Sequence, residues 1–169
     1  MTKLPLFAVL LCVATQCSAA EPEWRRIESK DDGYSIEFPD KPKKTEHGFN
    51  LEVLNGSGVF ICDCRHREPI DLSDKAAVQN IFDIAQQAML KSLKDGEVLR
   101  KTEAKFGKQK YPMREFEIDA TELLKSPATY KAVLVFTGDR FYQLVALGPN
   151  DFVKGDDVER FLESFELLD

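Results

Sequence analysis

The stretch that most constrains the fold of this 169-residue chain is a pair of apolar runs joined by a tight turn. Tyr130–Phe136 and Phe141–Leu147 are apolar on both faces, and Gly138-Asp139 separates them. Side chains of a strand alternate between its two faces, so a strand apolar on both belongs at the centre of a sheet. The flanking segments are one-sided. Tyr34–Phe38 alternates apolar and polar residues, which predicts a half-buried strand after the turn signal Asp31-Asp32-Gly33. Trp24–Ile27 reads as a short strand before it. Phe49–Leu54 and Val59–Arg65 read as a hairpin across Asn55-Gly56-Ser57-Gly58. Val98–Phe106 and Met113–Ala120 alternate in the same way.

Two segments follow a helical period instead. After Asp71-Leu72-Ser73-Asp74, with Ser73 or Asp71 expected as N-cap, the residues Ala77, Ile81, Ile84, Ala88 and Met89 form a stripe. Phe82, Ala85 and Leu93 widen it, as a helix covering a sheet requires. Gly96 is expected to end the helix in a left-handed conformation. Near the C-terminus, Val158, Phe161, Leu162 and Phe165 mark the buried face of a second helix. The expected class is α+β, with a mostly antiparallel sheet packed against helices.

Residues 1–20 have the three-part layout of a cleavable secretory signal. Lys3 supplies a positive start, Leu4–Ala14 is apolar apart from Pro5, and Ser18-Ala19-Ala20 offers small residues for a cut before Glu21. The apolar run is about half of the roughly 20 residues that span a bilayer. No later stretch matches it, so no transmembrane segment is expected after cleavage. A lipid-anchoring signal would want a small residue before its cysteine, and Gln16 precedes Cys17. Residues 21–169 are then expected to form a single domain, large enough for a real core without disulfide staples. The expected address is secreted or periplasmic, by bacterial export.

Only Lys3 among charged side chains leaves with the signal. The remaining 22 basic and 29 acidic residues give a net charge of −7. That balance argues against a nucleic-acid partner, which demands a positive footprint. Two cysteines also leave, so a disulfide-rich scaffold is excluded.

The pair that stays, Cys62 and Cys64, precedes His66 on one strand face with Phe60. Three soft donors on one face suggest a metal or thiol-redox site of Cys62, Cys64 and His66. Extended geometry limits it: Cys62 and His66 lie about 13 Å apart at Cα, too far for one ion unless the strand bulges or ends. Two neighbouring donors would need a further ligand, with His47 the obvious soft candidate. A Cys62–Cys64 disulfide sits at the edge of usable geometry, at about 6.6 Å between Cα atoms on a straight strand. In the competing reading the cysteines are small apolar fillers beside Phe60. The chain lacks H-E-x-x-H, P-loop and dinucleotide fingerprints. Glu115 and Glu117 share a strand face but read as solvent-facing.

Four phrases, taken in order, resemble the PsbP-like superfamily, which includes the photosystem II extrinsic protein PsbP and bacterial secreted relatives. They are Gly33-Tyr34-Ser35-Ile36-Glu37-Phe38-Pro39-Asp40-Lys41-Pro42 after Trp24; Gly107 through Arg114-Glu115-Phe116; Arg140-Phe141-Tyr142-Gln143-Leu144; and Arg160-Phe161-Leu162-Glu163-Ser164-Phe165. The resemblance implies a six- to seven-stranded antiparallel sheet between helices. It implies no enzyme and no cofactor, and a protein or envelope-associated complex as partner. The cysteine-bearing strand departs from that pattern.

Overall fold

The central hairpin organises the computed structural model, which describes residues 23–53, 57–94 and 96–168. In chain order the elements are β1 (Arg25–Ser29), β2 (Tyr34–Phe38), β3 (Lys43–Lys44), β4 (Gly48–Glu52), β5 (Val59–His66), α1 (Lys75–Ser92), β6 (Val98–Phe106), β7 (Tyr111–Asp119), α2 (Thr121–Leu124), β8 (Ala128–Phe136), β9 (Arg140–Pro149), α3 (Asn150–Val153), α4 (Asp156–Glu163) and β10 (Glu166–Leu167). The expected signal segment lies outside the described residues, as do Asn55 and Gly56 of the expected hairpin loop.

Seven strands form one antiparallel sheet in the order β3-β4-β5-β9-β8-β7-β6. The two-sided apolar strands β8 and β9 sit inside it. Their side chains divide between two cores. Ala132, Leu134, Phe136, Phe141 and Val145 pack with Val78, Ile81, Phe82, Met89 and Leu93 of the α1 layer. Val135, Tyr142, Leu144 and Ala146 pack on the other face with Phe60, Tyr34, Phe38, Val158 and Phe161. Full burial of one such side chain is worth about 1.5–3 kcal/mol, so the double-faced hairpin is the main hydrophobic investment of the fold.

The first two strands do not join that sheet. β2 lies between β1 and β10 in a separate three-stranded sheet, which with α4 forms the second covering layer. This corrects the expectation for Tyr34–Phe38, whose strand is covered on both sides. Ser35 is fully buried and its hydroxyl accepts from Arg26 at 2.7 Å. Glu37 accepts from Arg160 of α4 at 2.8 Å, and its backbone N–H donates to the Ser164 hydroxyl at 2.9 Å. Polar residues sit on the inner strand because each finds a partner on a neighbouring element.

Three further details of α1 depart from the sequence reading. Asp74 is the N-cap, accepting from the Ala77 N–H at 3.0 Å, whereas Asp71 holds the preceding turn through the Ser73 N–H at 2.8 Å. The buried stripe runs through Val78, Ile81, Phe82, Met89 and Leu93, while Ile84 is 54% exposed and Ala88 is exposed. The helix has turned its face toward β7 and β8, leaving Ile84 beyond the contact. Finally, Lys94 adopts the left-handed conformation after the helix (φ 57°), and Gly96 does not. Gly96 is needed for close approach: a Cβ there would run into the Asp119 carbonyl oxygen.

Candidate functional site

Strand β5 delivers the cysteines. It pairs with β9 in unbroken register from Val59↔Leu147 to His66↔Arg140, and with β4 from Val59 to Asp63. The Cys64 N–H continues that edge by donating to the His47 carbonyl at 2.7 Å. There is no bulge, so Cys62 and His66 stay at opposite ends of an extended segment. Phe60, Cys62 and Cys64 point into the second core, and the chain emerges at His66.

Cys62 and Cys64 are free thiols, at 0% and 3% exposure. Burial pushes both thiols up, Cys64 to about 12. The Tyr34 hydroxyl lies beside Cys62 and is raised by the same burial; it has no hydrogen-bond partner of conventional geometry. Almost no thiolate exists at neutral pH in such surroundings, so neither cysteine has the low-pKa, accessible character of a redox thiol.

His66 is different. It is 58% exposed, and its Nε2 lies 3.0 Å from Asp32 Oδ1. Asp32 belongs to the turn between β1 and β2, far away in sequence, and three contacts hold it over the end of β5. The Ser29 hydroxyl donates to its second carboxylate oxygen at 2.6 Å. The Tyr142 hydroxyl donates to its backbone carbonyl at 2.8 Å. Gly33, at φ +70°, lets the turn close against Arg140, whose guanidinium occupies the space a Cβ would need. Partial burial would raise the Asp32 carboxyl, but the bonds to Ser29 and His66 outweigh it and leave the group below the ordinary carboxylate range. Asp32, Cys64 and His66 thereby bring three donor atoms within 4.8 Å of one another. The third member of this cluster is Asp32. Cys62 lies one step deeper on the strand, and His47 contributes only its backbone.

The surroundings are polar and ordered. Burial raises the Tyr142 phenol to about 12, and Arg140 stands beside it with its Nε buried and unpartnered. A hollow of about 290 Å³ adjoins them, lined by Gly33, Tyr142, Arg140, Thr137 and Asp139.

A second polar centre lies on the opposite face of the main sheet. Arg114 of β7 is 1% exposed and reaches outward to Asp83 of α1 at 2.8 Å and Glu103 of β6 at 2.9 Å. Its guanidinium carbon sits 4.9 Å from the centre of the Phe82 ring and 5.8 Å from that of Phe116. A groove of about 350 Å³ runs over it between α1 and the β6–β7 edge. Sequence reasoning passed over Arg114. The available signal was a cation at an even-numbered position in a strand whose other even positions, Phe116 and Ile118, face the core.

No family model and no curated protein matches the sequence. Among solved structures, the cyanobacterial PsbP protein (CyanoP) of Synechocystis sp. PCC 6803 superposes with a TM-score of 0.64. The match covers 92% of this chain and 98% of CyanoP at 9% identity. A chain from Bacteroides thetaiotaomicron, at TM-score 0.33, 11% identity and 42% of its own length, is too distant to bear on the argument. The superposition extends over nearly the whole of both chains: this chain has the PsbP-like α+β fold.

Proposed function

We propose that this chain is an exported, non-catalytic binding or assembly domain whose partner is a protein or envelope-associated complex. The observation that carries the reading is the PsbP-like fold, extending over 92% of the chain. The resemblance seen in the sequence associates that scaffold with binding other proteins. The signal-like residues 1–20 add the export step. The buried, proton-holding state of Cys62 and Cys64 gives the thiol-redox alternative little support. Among the described residues no helix is long and apolar enough to cross a membrane, which fits attachment through a partner.

The test is to follow the full chain in its native host. N-terminal sequencing of the accumulated protein is expected to begin at Glu21; an intact Met1 terminus would refute export by cleavage. Gentle fractionation of the envelope is expected to find the chain in an assembly much larger than a monomer, and a salt wash should release it. A chain that runs only as a monomer before and after the wash would overturn the assembly role. Replacing Cys62 and Cys64 with Ala together is expected to leave the assembly intact.

A further inference from the structure

We propose that Asp32, Cys64 and His66 form a zinc(II) site at the open end of β5, with water as the fourth ligand. The inference is independent of the partner reading above.

Three donors of different type converge from two separate segments: a carboxylate from the β1–β2 turn, and a thiol and an imidazole at i and i+2 of one strand. Their donor atoms all lie within 4.8 Å of one another, with Asp32 and His66 at 3.0 Å. Zinc bonds of about 2.0–2.3 Å in a tetrahedron place neighbouring donors roughly 3.3–3.8 Å apart. Closing the cluster around one ion therefore needs side-chain adjustment only. The backbone that would have to hold still is held: β5 is paired with β9 through His66, the Cys64 N–H donates to the His47 carbonyl on the other side, and the Asp32 turn is tied to Ser29 and Tyr142. Exposed His66 offers entry, while buried Cys64 forms the floor.

The donor set selects the metal. A blue-copper centre wants two imidazoles and a thiolate, and magnesium or calcium wants oxygen alone. One sulfur, one nitrogen and one carboxylate oxygen suit zinc, and three protein ligands are the usual number in its open sites. Binding exchanges the Cys64 proton for a Zn–S bond and releases that proton to solvent; no electrons move. The ion's own charge drives that deprotonation despite burial. Arg140 lies near both Asp32 and Cys64 and favours their deprotonated forms. Zinc, however, brings two positive charges where one proton leaves, so the net effect of Arg140 is to oppose binding.

The test is zinc titration of the folded chain against a chromogenic chelator, repeated with cobalt(II) as a spectroscopic probe. One zinc per chain is expected, with a sulfur-to-cobalt charge-transfer band. Cys64→Ser should abolish the band and weaken zinc binding at least tenfold, and Cys62→Ser should change neither. His66→Ala, at an exposed position that the fold does not depend on, should weaken zinc at least tenfold while leaving the circular dichroism unchanged. Arg140→Gln should tighten binding. Absence of stoichiometric zinc in the wild-type chain, equal loss in Cys62→Ser, or full affinity in His66→Ala would each overturn the proposal.

Discussion

The main sheet holds a buried polar centre on each face, and the two are built on opposite principles. On the α1 face, Arg114 is a permanent charge sealed at 1% exposure, with two carboxylates and two aromatic rings around it. On the other face, Cys62 and Cys64 are neutral; their polar neighbours Tyr34 and Arg140 each have a buried atom without a hydrogen-bond partner, as does the Nε of Arg114 itself. A guanidinium cannot shed its proton, so it is tolerated only where its partners are fixed. A thiol avoids the penalty by keeping its proton. The first arrangement locks α1 to the β6–β7 edge. The second gathers Asp32, Cys64 and His66, whose donor atoms a cation could still take up.

Breaking the locked centre should have the largest effect. Arg114→Ala removes two charge-assisted hydrogen bonds and two cation–π contacts, and is expected to destabilise by about 3 kcal/mol in urea unfolding. Arg114→Met, which keeps much of the volume, should lose well under half of that, since apolar replacements of buried ions are often tolerated. The same pair predicts a pH signature. The bond from Arg114 holds the Asp83 carboxyl below its ordinary value. A depressed carboxyl contributes stability that is present above its unfolded value of about 3.9 and is lost as pH falls through the lower folded value. Acid unfolding curves of Arg114→Met should lack that increment.

On the thiol face the effects are smaller and differ in sign. Cys62→Ser puts a hydroxyl where Cys62 is fully buried and should destabilise by about 2 kcal/mol. Tyr34→Phe removes a buried hydroxyl that has no partner, so its stability should stay equal or rise by up to about 1 kcal/mol. A clear loss would reveal a Tyr34–Cys62 bond stronger than the geometry indicates. The smallest effect belongs to Ile84→Gln. At 54% exposure it should shift stability by no more than about 0.5 kcal/mol, confirming by denaturation which face of α1 is buried.

That last residue shows where sequence periodicity runs out. Ile84 and Val78 are both compatible with an apolar stripe, and only contact with the sheet decides which one lies inside. Strand positions were easier to read, because a period of two leaves little freedom: β2 and β6 begin and end where the alternation does. The separate small sheet was not legible, since β10 contributes only two residues and carries no periodic signal. For the candidate site, Cys64 and His66 stood out as soft donors on one strand. Asp32 read only as part of a turn, and nothing local reports that this turn folds over the end of β5. Its partnership with His66 depends on packing between two sheets. Arg114 was hidden for a similar reason, because its anionic partners come from a helix and a neighbouring strand.

The pairing of β2 with β10 has a consequence for the order of assembly. Glu166 and Leu167 complete the sheet opposite Ser35 and Tyr34, and Arg26 grips Glu166 from 140 residues away along the chain. Contacts of such long range close late, after the entropy of the intervening loop has been overcome by the rest of the fold. The turn bearing Asp32 closes a local hairpin between β1 and β2, but its seat over the end of β5 depends on Tyr142, 110 residues further along the chain. An emerging chain would keep its first hairpin undocked until β9 arrived and its edge open until β10 did, and the cluster at the end of β5 would take shape only after β9 was in place.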